Sequence, residues 1–248
     1  MQDSKGSIND DVGLAWQEVN VEHIVQDQWI DFRRSAFRFP DGKVFEPFYT
    51  YSRRDYVVIV ASDTEGKYLC VRQFRQGIKA VTTEFVAGGI ERSDGREYAA
   101  DRMCSEKEQV SAPQEATSGE LAASSEAITL NSEVTSEKKP EFAIDETKTY
   151  AEDTLAAAKR ELLEETGYES DEWEHLLTVP SNATIADNYA HLYVARNCRQ
   201  VSGQSLDETE YLNVVKYTEE ELEEMISNGS FQQVMHITAW LLSHRSAK

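Results

Sequence analysis

The sequence predicts an α/β fold, because strand patterns and helix patterns both recur along its 248 residues. Short runs of β-branched and aromatic residues, typical of strands, fill the first third of the chain. A helix pattern from Thr154 to Thr166 is followed by further strand patterns, and two helix patterns end the chain. With 40% hydrophobic residues, most of the chain is expected to form a packed core.

The part of the chain before residue 93 is predicted to consist of strands after a polar leader, residues 1–13. Two turn signals separate the strands: Pro-Asp-Gly at 40–42 and Asp-Thr-Glu-Gly at 63–66. The second turn makes residues 56–74 a predicted hairpin. The predicted strands cover residues 24–39, 45–51, 56–61, 68–74 and 82–86.

The composition changes in the middle of the chain. Between Ser105 and Lys139 there are seven Ser, seven Glu, five Ala and three Thr, with no aromatic residue. Such a stretch cannot bury enough apolar surface to offset the entropy of ordering it. We therefore interpret residues 93–148 as a low-complexity insertion, mostly disordered or loosely helical. A solvated spacer is the favoured role, and a regulatory or partner-binding segment is the alternative.

Order is predicted to return with the helix from Thr154 to Thr166, where Gly167 stands at the position of a C-cap. The apolar stripe predicted for this helix is Leu155, Ala156, Ala158, Leu162 and Leu163. Three more strands are predicted, over residues 173–180, 191–196 and 211–217.

Two helices are predicted at the end of the chain. Thr218 and Glu221 have the spacing of a capping box, so a helix should begin there and reach about Ile226. The last helix is predicted from Phe231 to His244. The residues expected on its apolar face are Val234, Ile237, Trp240 and Leu241.

Charge and cysteine usage narrow the functional classes. The chain has 25 Lys and Arg residues against 45 Asp and Glu residues, a net charge of −20. This balance argues against nucleic acid or an anionic membrane as a partner. A small anionic substrate remains compatible, because a divalent cation can invert the charge of a site. Three widely spaced cysteines and the lack of a long apolar run lead us to expect a cytoplasmic protein.

The most informative stretch is an acidic helix face. Glu161, Glu164 and Glu165 stand at i, i+3 and i+4, which places three carboxylates on one side of a helix, while Leu162 and Leu163 should point into the core. Like charges at this spacing repel, so the cluster calls for a cation, and oxygen ligands favour Mg²⁺ or Mn²⁺. Arg160 can hold one of the carboxylates through a bidentate pair. The alternative is a solvated acidic face, which is common in a protein this acidic.

The spacing of these glutamates resembles the Nudix box, whose pattern is G-x5-E-x7-R-E-U-x-E-E-x-G-U, with U aliphatic or aromatic. Glu152, seven further residues and the stretch from Arg160 to Tyr168 match its last seventeen positions. The opening glycine departs from the pattern, because Gly89 precedes Glu152 by 62 intervening residues where the family has five. The insertion therefore interrupts the loop of the box, and Glu97 is the alternative to Glu152 as the first glutamate.

The resemblance implies a Nudix-type α/β/α sandwich with a mixed β-sheet. Within this family the chain is most similar to the ADP-ribose, or nucleoside-diphosphate-sugar, pyrophosphatase branch, on residues 71–75, 84–88 and 206–210. Pro180 comes twelve residues after Tyr168, whereas this branch usually carries a proline some fifteen residues beyond the box. The implied domains are a flexible leader (1–13), a dimer-forming strand region (14–55), a hydrolase domain (56–92 and 149–248) and the insertion (93–148).

The same resemblance implies a reaction, the hydrolysis of ADP-ribose to AMP and ribose 5-phosphate with Mg²⁺ or Mn²⁺ as cofactor. The metal ligands that it implies are Glu161, Glu164, Glu165 and the backbone carbonyl of Ala87, beside glycines that allow close approach. The general base would come from a later loop, as Glu208 or Glu210.

Three further residues are implied to bind substrate. Arg75 would hold phosphate or would otherwise lie on a strand surface, and Glu84 would bind substrate or pair with Arg75. Trp29 would stack on the base or would pack in the core or a dimer interface. A homodimer is implied, in which the N-terminal strands help to build the partner's site. The rival functions are a pyrophosphatase for another nucleotide sugar or dinucleotide, and a non-catalytic nucleotide-sugar-binding regulator.

Overall fold

The structure is a computed structural model that describes residues 13–27, 30–91, 153–207 and 210–245. The predicted insertion, Glu97 and Glu152 lie outside these ranges, as does nearly all of the leader. The strands are β1 (Gln17–Gln26), β2 (Asp31–Arg38), β3 (Val44–Ser52), β4 (Tyr56–Asp63), β5 (Tyr68–Arg75), β6 (Ala80–Gly89), β7 (Tyr168–Glu169), β8 (Glu172–Pro180), β9 (Tyr189–Gln200) and β10 (Leu212–Tyr217). The helices are α1 (Thr154–Thr166), α2 (Glu219–Ser227) and α3 (Val234–Ser243).

A mixed seven-stranded sheet forms the centre of the molecule, in the order β10-β5-β6-β4-β9-β7 with β8 paired to β9. Strands β4 and β9 are parallel, and the other pairs are antiparallel. Alternate residues of β4 face opposite sides of the sheet. Val57 and Ile59 pack in one apolar cluster with α1, whereas Val58 and Val60 pack in another with α2 and α3. Helices therefore cover both faces of the sheet, which gives three layers.

A second sheet of three strands, in the order β1-β2-β3, lies at the N-terminal end. It joins the rest of the molecule where Tyr51 on β3 forms a bridge with Ala186 and donates its backbone N–H to Ile185 O at 2.8 Å. Arg33 Nη2 on β2 donates to Asp187 Oδ2 at 3.0 Å beside this bridge. These contacts tie the small sheet to the loop between β8 and β9.

One face of the small sheet carries a cluster of aromatic rings. The ring of Trp16 lies 4.5 Å from that of Phe39 and 5.3 Å from that of Phe48, measured between centroids. Phe37 and Phe45 complete the cluster. In this single chain Trp16 and Phe45 remain 52% and 57% exposed, and every residue of β1 is exposed. The cluster therefore covers only part of its own apolar surface.

The strand predictions are mostly confirmed, with two corrections. The single strand predicted from Ile24 to Phe39 is wrong, because the chain reverses between β1 and β2, where Ile30 N–H donates to Asp27 Oδ1 at 2.9 Å. The predicted hairpin of β4 and β5 is present only beside its turn, at Ala61–Leu69 and one further pair. Beyond that point β6 lies between the two strands and pairs with both.

The predicted bounds of α1 are confirmed. Asp153 caps the helix start, and Gly167 ends it with φ +75° and its N–H donating to Leu163 O at 2.8 Å. The apolar stripe is shifted from the prediction, because Ala156 and Leu163 are exposed and Ala157 is buried instead. Leu163 therefore does not point into the core as predicted.

The two C-terminal helices are confirmed, with a correction to the second. The capping box of Thr218 and Glu221 opens α2 as predicted. The last helix begins at Val234, three residues later than predicted. Its apolar face is confirmed for Trp240, which is buried, and for Ile237, which packs against the core, but Val234 and Leu241 are 63% and 57% exposed. The buried residues of α3 are His236, Ala239 and Trp240. No helix in the described part of the chain is long and apolar enough to cross a membrane.

Candidate active site

The acidic face of α1 is turned toward the sheet. Glu161 and Glu165 are only 6% and 3% exposed, although both are carboxylates. Glu164, one turn from Glu161, keeps 42% of its side chain exposed at the rim. The predicted trio is thus split into two buried carboxylates and one at the edge, because residues at i and i+4 point more nearly the same way than residues at i and i+3.

Arg160 links these carboxylates to the end of β6. Its Nη1 donates to Glu161 Oε1 at 2.8 Å and to Glu164 Oε2 at 3.0 Å. Its Nη2 donates to the backbone carbonyl of Gly89 at 3.0 Å. The prediction that Arg160 holds one glutamate is therefore extended to two, and the guanidinium also fixes α1 against the end of β6.

Gly88 gives the Glu161 carboxylate room to reach β6. A Cβ atom built on Gly88 would overlap the Glu161 carboxyl group, whereas one on Gly89 would come no nearer than 3.8 Å to any atom, the closest being Arg54 Cδ. Only glycine fits at position 88 with the carboxylate in this place. Of the glycines predicted to allow close approach, Gly88 is the one that this contact requires.

Burial raises the pKa values of both inner carboxylates. The pKa of Glu161 rises to about 7, because burial and the charges of Glu164 and Glu210 outweigh the ion pair with Arg160. The pKa of Glu165 rises well above its usual value, mainly through burial and then through the charges of Glu161 and Glu210. A hydrogen bond from the Ala87 backbone and the charge of Arg75 oppose this rise. A cation placed here would favour the ionised forms of both groups.

The donor atoms fit a divalent cation that prefers oxygen ligands. Glu165 Oε2 is buried and has no hydrogen-bond partner, which is costly for a carboxylate oxygen unless something else contacts it. In the described ranges, no group of three or more His, Cys, Asp or Glu residues is arranged to hold a metal by itself. Glu161 and Glu165 would thus need a further oxygen ligand, such as the backbone carbonyl of Ala87, the residue whose N–H donates to Glu165.

A loop from the C-terminal half brings Glu210 to the acidic cluster. Residues 201–207 pack against the C-terminal end of α1. There, Ser205 N–H donates to Glu164 O and Gln204 Nε2 donates to Glu165 O, each at 2.8 Å. Glu210 raises the pKa of the two inner carboxylates, so it lies within electrostatic reach of them. It also lines a shallow open cavity of about 380 Å³. Glu208, the other predicted base, lies outside the described residues.

Gly167 allows this loop to pack closely against the end of α1. Its backbone has φ +75°, and an added Cβ would overlap the carbonyl oxygen of Ser202. The carbonyl of Gly167 accepts from Val201 N–H at 2.9 Å and from Ser202 N–H at 3.2 Å. Gly167 therefore ends the helix and also binds the loop that leads to the candidate base.

Arg75, the last residue of β5, forms a bidentate ion pair with Glu84 in the middle of β6. Arg75 Nε donates to Glu84 Oε1 at 2.8 Å, and Arg75 Nη2 donates to Glu84 Oε2 at 2.5 Å. Thr82 and Gln233 also donate to Oε1 of Glu84. Burial alone would raise the pKa of Glu84, but these hydrogen bonds lower it to about 2. Of the two roles predicted for Glu84, the structure shows the pair with Arg75.

Arg75 is held with one edge available. Its Nε and Nη2 atoms are engaged by Glu84, whereas Nη1 donates to no group in the described part of the chain. The side chain is 36% exposed and interacts electrostatically with Glu165. The guanidinium therefore combines a buried anchor with an accessible donor beside the acidic cluster, which suits a phosphate oxygen.

Two residues near the site, Arg54 and Gln233, were missed from the sequence. Arg54 lies beside Gly89, and its carbonyl accepts from Asn188 Nδ2 at 3.0 Å. The Arg-Arg pair at 53–54, just before a buried strand, is a signal that could have pointed to it. Gln233 gave no signal, because its partner Glu84 is 149 residues away in the chain. Trp29 lies outside the described residues.

Comparison with known proteins identifies the fold. The crystal structure of an ADP compounds hydrolase superposes with a TM-score of 0.60, over 93% of this chain and 92% of that one. The fold is a Nudix-type α/β/α sandwich. The fold class predicted from the sequence is thereby confirmed, while the sequence identity of 15% extends the likeness no further than the fold.

The sequence comparisons are more limited. No family model matches the chain. The methanol dehydrogenase activator of Bacillus methanolicus is 38% identical over 71 residues. These residues make up 28% of this chain and 38% of the activator, so the match spans well under half of either protein.

Proposed function

We propose that the protein hydrolyses the diphosphate linkage of a nucleoside diphosphate derivative in a metal-dependent reaction, with ADP-ribose as the leading substrate and AMP and ribose 5-phosphate as products. The observation that carries the proposal is a pair of buried carboxylates: Glu161, which lies against Gly88, and Glu165, which keeps one oxygen unpaired. The Nudix-type fold and its likeness to a hydrolase of ADP compounds support it.

The residues of the site suit this reaction. Glu161, Glu165 and the Ala87 backbone, with Glu164 assisting, would hold Mg²⁺ or Mn²⁺, which when bound neutralises the diphosphate and makes water more acidic. Arg160 keeps Glu161 in place. Arg75 Nη1 would donate to a phosphate oxygen. Glu210 or Glu208 would accept the proton of the attacking water, and Glu210 is the one seen near the cluster.

A phosphate-release screen tests the proposal. The purified protein is given Mg²⁺ or Mn²⁺, a coupled phosphatase and a panel of ADP-ribose, GDP-mannose, NADH, diadenosine polyphosphates and nucleoside triphosphates. We expect turnover of ADP-ribose that Glu165→Gln abolishes and Glu169→Gln, an exposed glutamate on β7, leaves intact. Turnover of another panel member would keep the reaction and change the substrate.

The general base is tested with two matched variants. Glu208→Gln and Glu210→Gln remove one carboxylate each from the same loop. Loss of a general base lowers kcat by about 10²- to 10⁴-fold, so one variant should fall in this range and the other should not. A fall of less than tenfold in both would exclude the loop as the source of the base.

A second candidate is a non-catalytic nucleotide-binding regulator of another enzyme. The observation that favours it is the partial match to a protein named as a dehydrogenase activator. It predicts that ADP-ribose binds but is not turned over with either metal. Deleting residues 94–148 and repeating the screen separates a passive spacer from an inhibitory segment, since only the latter would release activity.

We also propose a homodimer joined through the N-terminal sheet. The support is the incompletely covered aromatic cluster, in which Trp16 and Phe45 stay more than half exposed. A second copy would bury it with a surface of the same kind. Light scattering should give a dimer mass for the wild type and a monomer for Phe45→Asp, and a monomeric wild type would refute the proposal. The cytoplasmic location expected from the cysteines stays a prediction.

A further inference from the structure

The first turn of α3 lies against β6 next to the Arg75–Glu84 pair. Gln233 Nε2 donates to Glu84 Oε1 at 3.0 Å. Three residues later, His236 Nδ1 accepts the backbone N–H of Phe85 at 3.1 Å. The start of the helix is therefore fixed to two consecutive residues of the strand that carries Glu84.

Gln233 occupies the N-cap of α3 without acting as a cap. Its backbone is extended, with φ −76° and ψ 114°, and its side chain makes no hydrogen bond to the helix. Ser, Thr, Asp and Asn are the residues that cap helices at this position. The glutamine thus gives up a local hydrogen bond of the helix, and its amide reaches Glu84 instead.

The position of Gln233 bears on the orientation of Arg75. Glu84 is fully buried, and its carboxylate binds the guanidinium through two parallel hydrogen bonds, so the plane of one group sets the plane of the other. The Thr82 hydroxyl and the Gln233 amide both donate to Oε1 of this carboxylate. Without Gln233, only Thr82 would restrain that oxygen from the side away from Arg75.

We infer that Gln233 is a positioning residue, which acts through Glu84 to aim the free edge of Arg75 at the diphosphate of the substrate. The inference rests on the proposed function. Arg75 would grip phosphate in the ground state and the transition state alike, so a poorly aimed Arg75 weakens binding without slowing the chemical step. The effect of losing Gln233 should therefore appear in KM and not in kcat.

The substitution Gln233→Ser separates this role from a structural one. Serine is a good N-cap, so the cap that it forms should offset the stability lost with the hydrogen bond to Glu84, and Tm should change little. Loss of the amide should raise KM for ADP-ribose about three- to tenfold, the worth of one hydrogen bond, with kcat within about twofold of the wild type. Gln232→Ser is the matched control, since Gln232 is the exposed neighbour.

A second substitution, Gln233→Glu, keeps the size of the side chain and replaces the donor by a carboxylate that faces Glu84. Its KM should exceed that of Gln233→Ser, because two carboxylates would compete for Arg75. Unchanged KM in both variants would overturn the inference. If the wild type turns over nothing, the proposed function fails separately, and the metal-free Kd for ADP-ribose by calorimetry then tests Gln233 with the same expected ratios.

Discussion

The substitution Gly88→Ala should remove activity while leaving the fold in place. A methyl group at this position would overlap the carboxyl group of Glu161, which lies against the backbone of β6. The obstructed atoms are the end of a flexible side chain, so Glu161 can turn away without moving the helix or the strand. The hydrogen bond from Arg160 to Glu161 at 2.8 Å would be lost or bent in the process.

The size of the effect follows from how far the carboxylate must move. To reach an ordinary contact with the new methyl group, the Glu161 oxygens must shift by about 1 Å or more, and a misplacement of this size costs about 100-fold in rate. The free energy of unfolding should change by less than about 1.5 kcal/mol, because Glu161 gains solvent contact as it moves. A large loss of kcat with a small change of stability is therefore expected.

Gly89→Ala is the matched control for this experiment. It adds the same methyl group one residue later, where the nearest atom, Arg54 Cδ, is 3.8 Å away. Steady-state turnover of ADP-ribose and urea unfolding of both variants give the comparison. If Gly88→Ala and Gly89→Ala show equal turnover, the Glu161 carboxylate is not needed where the structure places it, and the proposed metal site would be wrong.

Three more predictions concern stability and can be measured by urea or thermal unfolding. Burial lowers the pKa of His236 to about 4, whereas the imidazole of the unfolded chain binds a proton near pH 6.5. The free energy of unfolding should therefore fall by up to ~3 kcal/mol between pH 6.5 and pH 4, and His236→Gln should lack this part of the pH dependence. Gly167→Ala should lower the free energy of unfolding by about 2–4 kcal/mol, since alanine is strained at φ +75° and meets a backbone carbonyl. Its control, Gly203→Ala, has open space around the added methyl group and should change stability by less than about 0.5 kcal/mol. Arg75→Met should lower the free energy of unfolding by ~3 kcal/mol, because it leaves the buried Glu84 carboxylate without its cation. Adding Glu84→Gln should restore part of this loss, and equal stability of the single and double variants would contradict this account.

Much of the fold could be predicted from local sequence patterns. The bounds of α1 could be predicted because its apolar periodicity and Gly167 lie within one short stretch. The capping box at Thr218 worked for the same reason. The position of β6 between β4 and β5 could not be predicted, because pairing between strands depends on contacts distant in sequence. The face of α3 was predicted only in part, because His236, a polar residue, is buried where it accepts a hydrogen bond from Phe85.

The candidate site also contains one part that could be predicted from the sequence and one part that could not. The three glutamates of α1 and Arg160 lie within six consecutive residues, so their spacing alone brought them together. Gln233 and Glu84 are 149 residues apart and meet only because α3 packs across β6. A residue whose role depends on such a contact carries no mark in the sequence, and only the folded arrangement reveals it.

The burial of Glu161 and Glu165 argues against a solvated acidic face, the alternative interpretation of their spacing. A solvated acidic face would leave Glu161 and Glu165 in water, where their repulsion is weak, yet they are 6% and 3% exposed. Arg75 is already paired with Glu84, so Arg160 is the guanidinium that must offset both of them and Glu164. With Glu210 also within electrostatic reach, negative charge exceeds positive charge in this cluster. Burying such an excess is costly unless a cation compensates it, which supports the divalent cation proposed above.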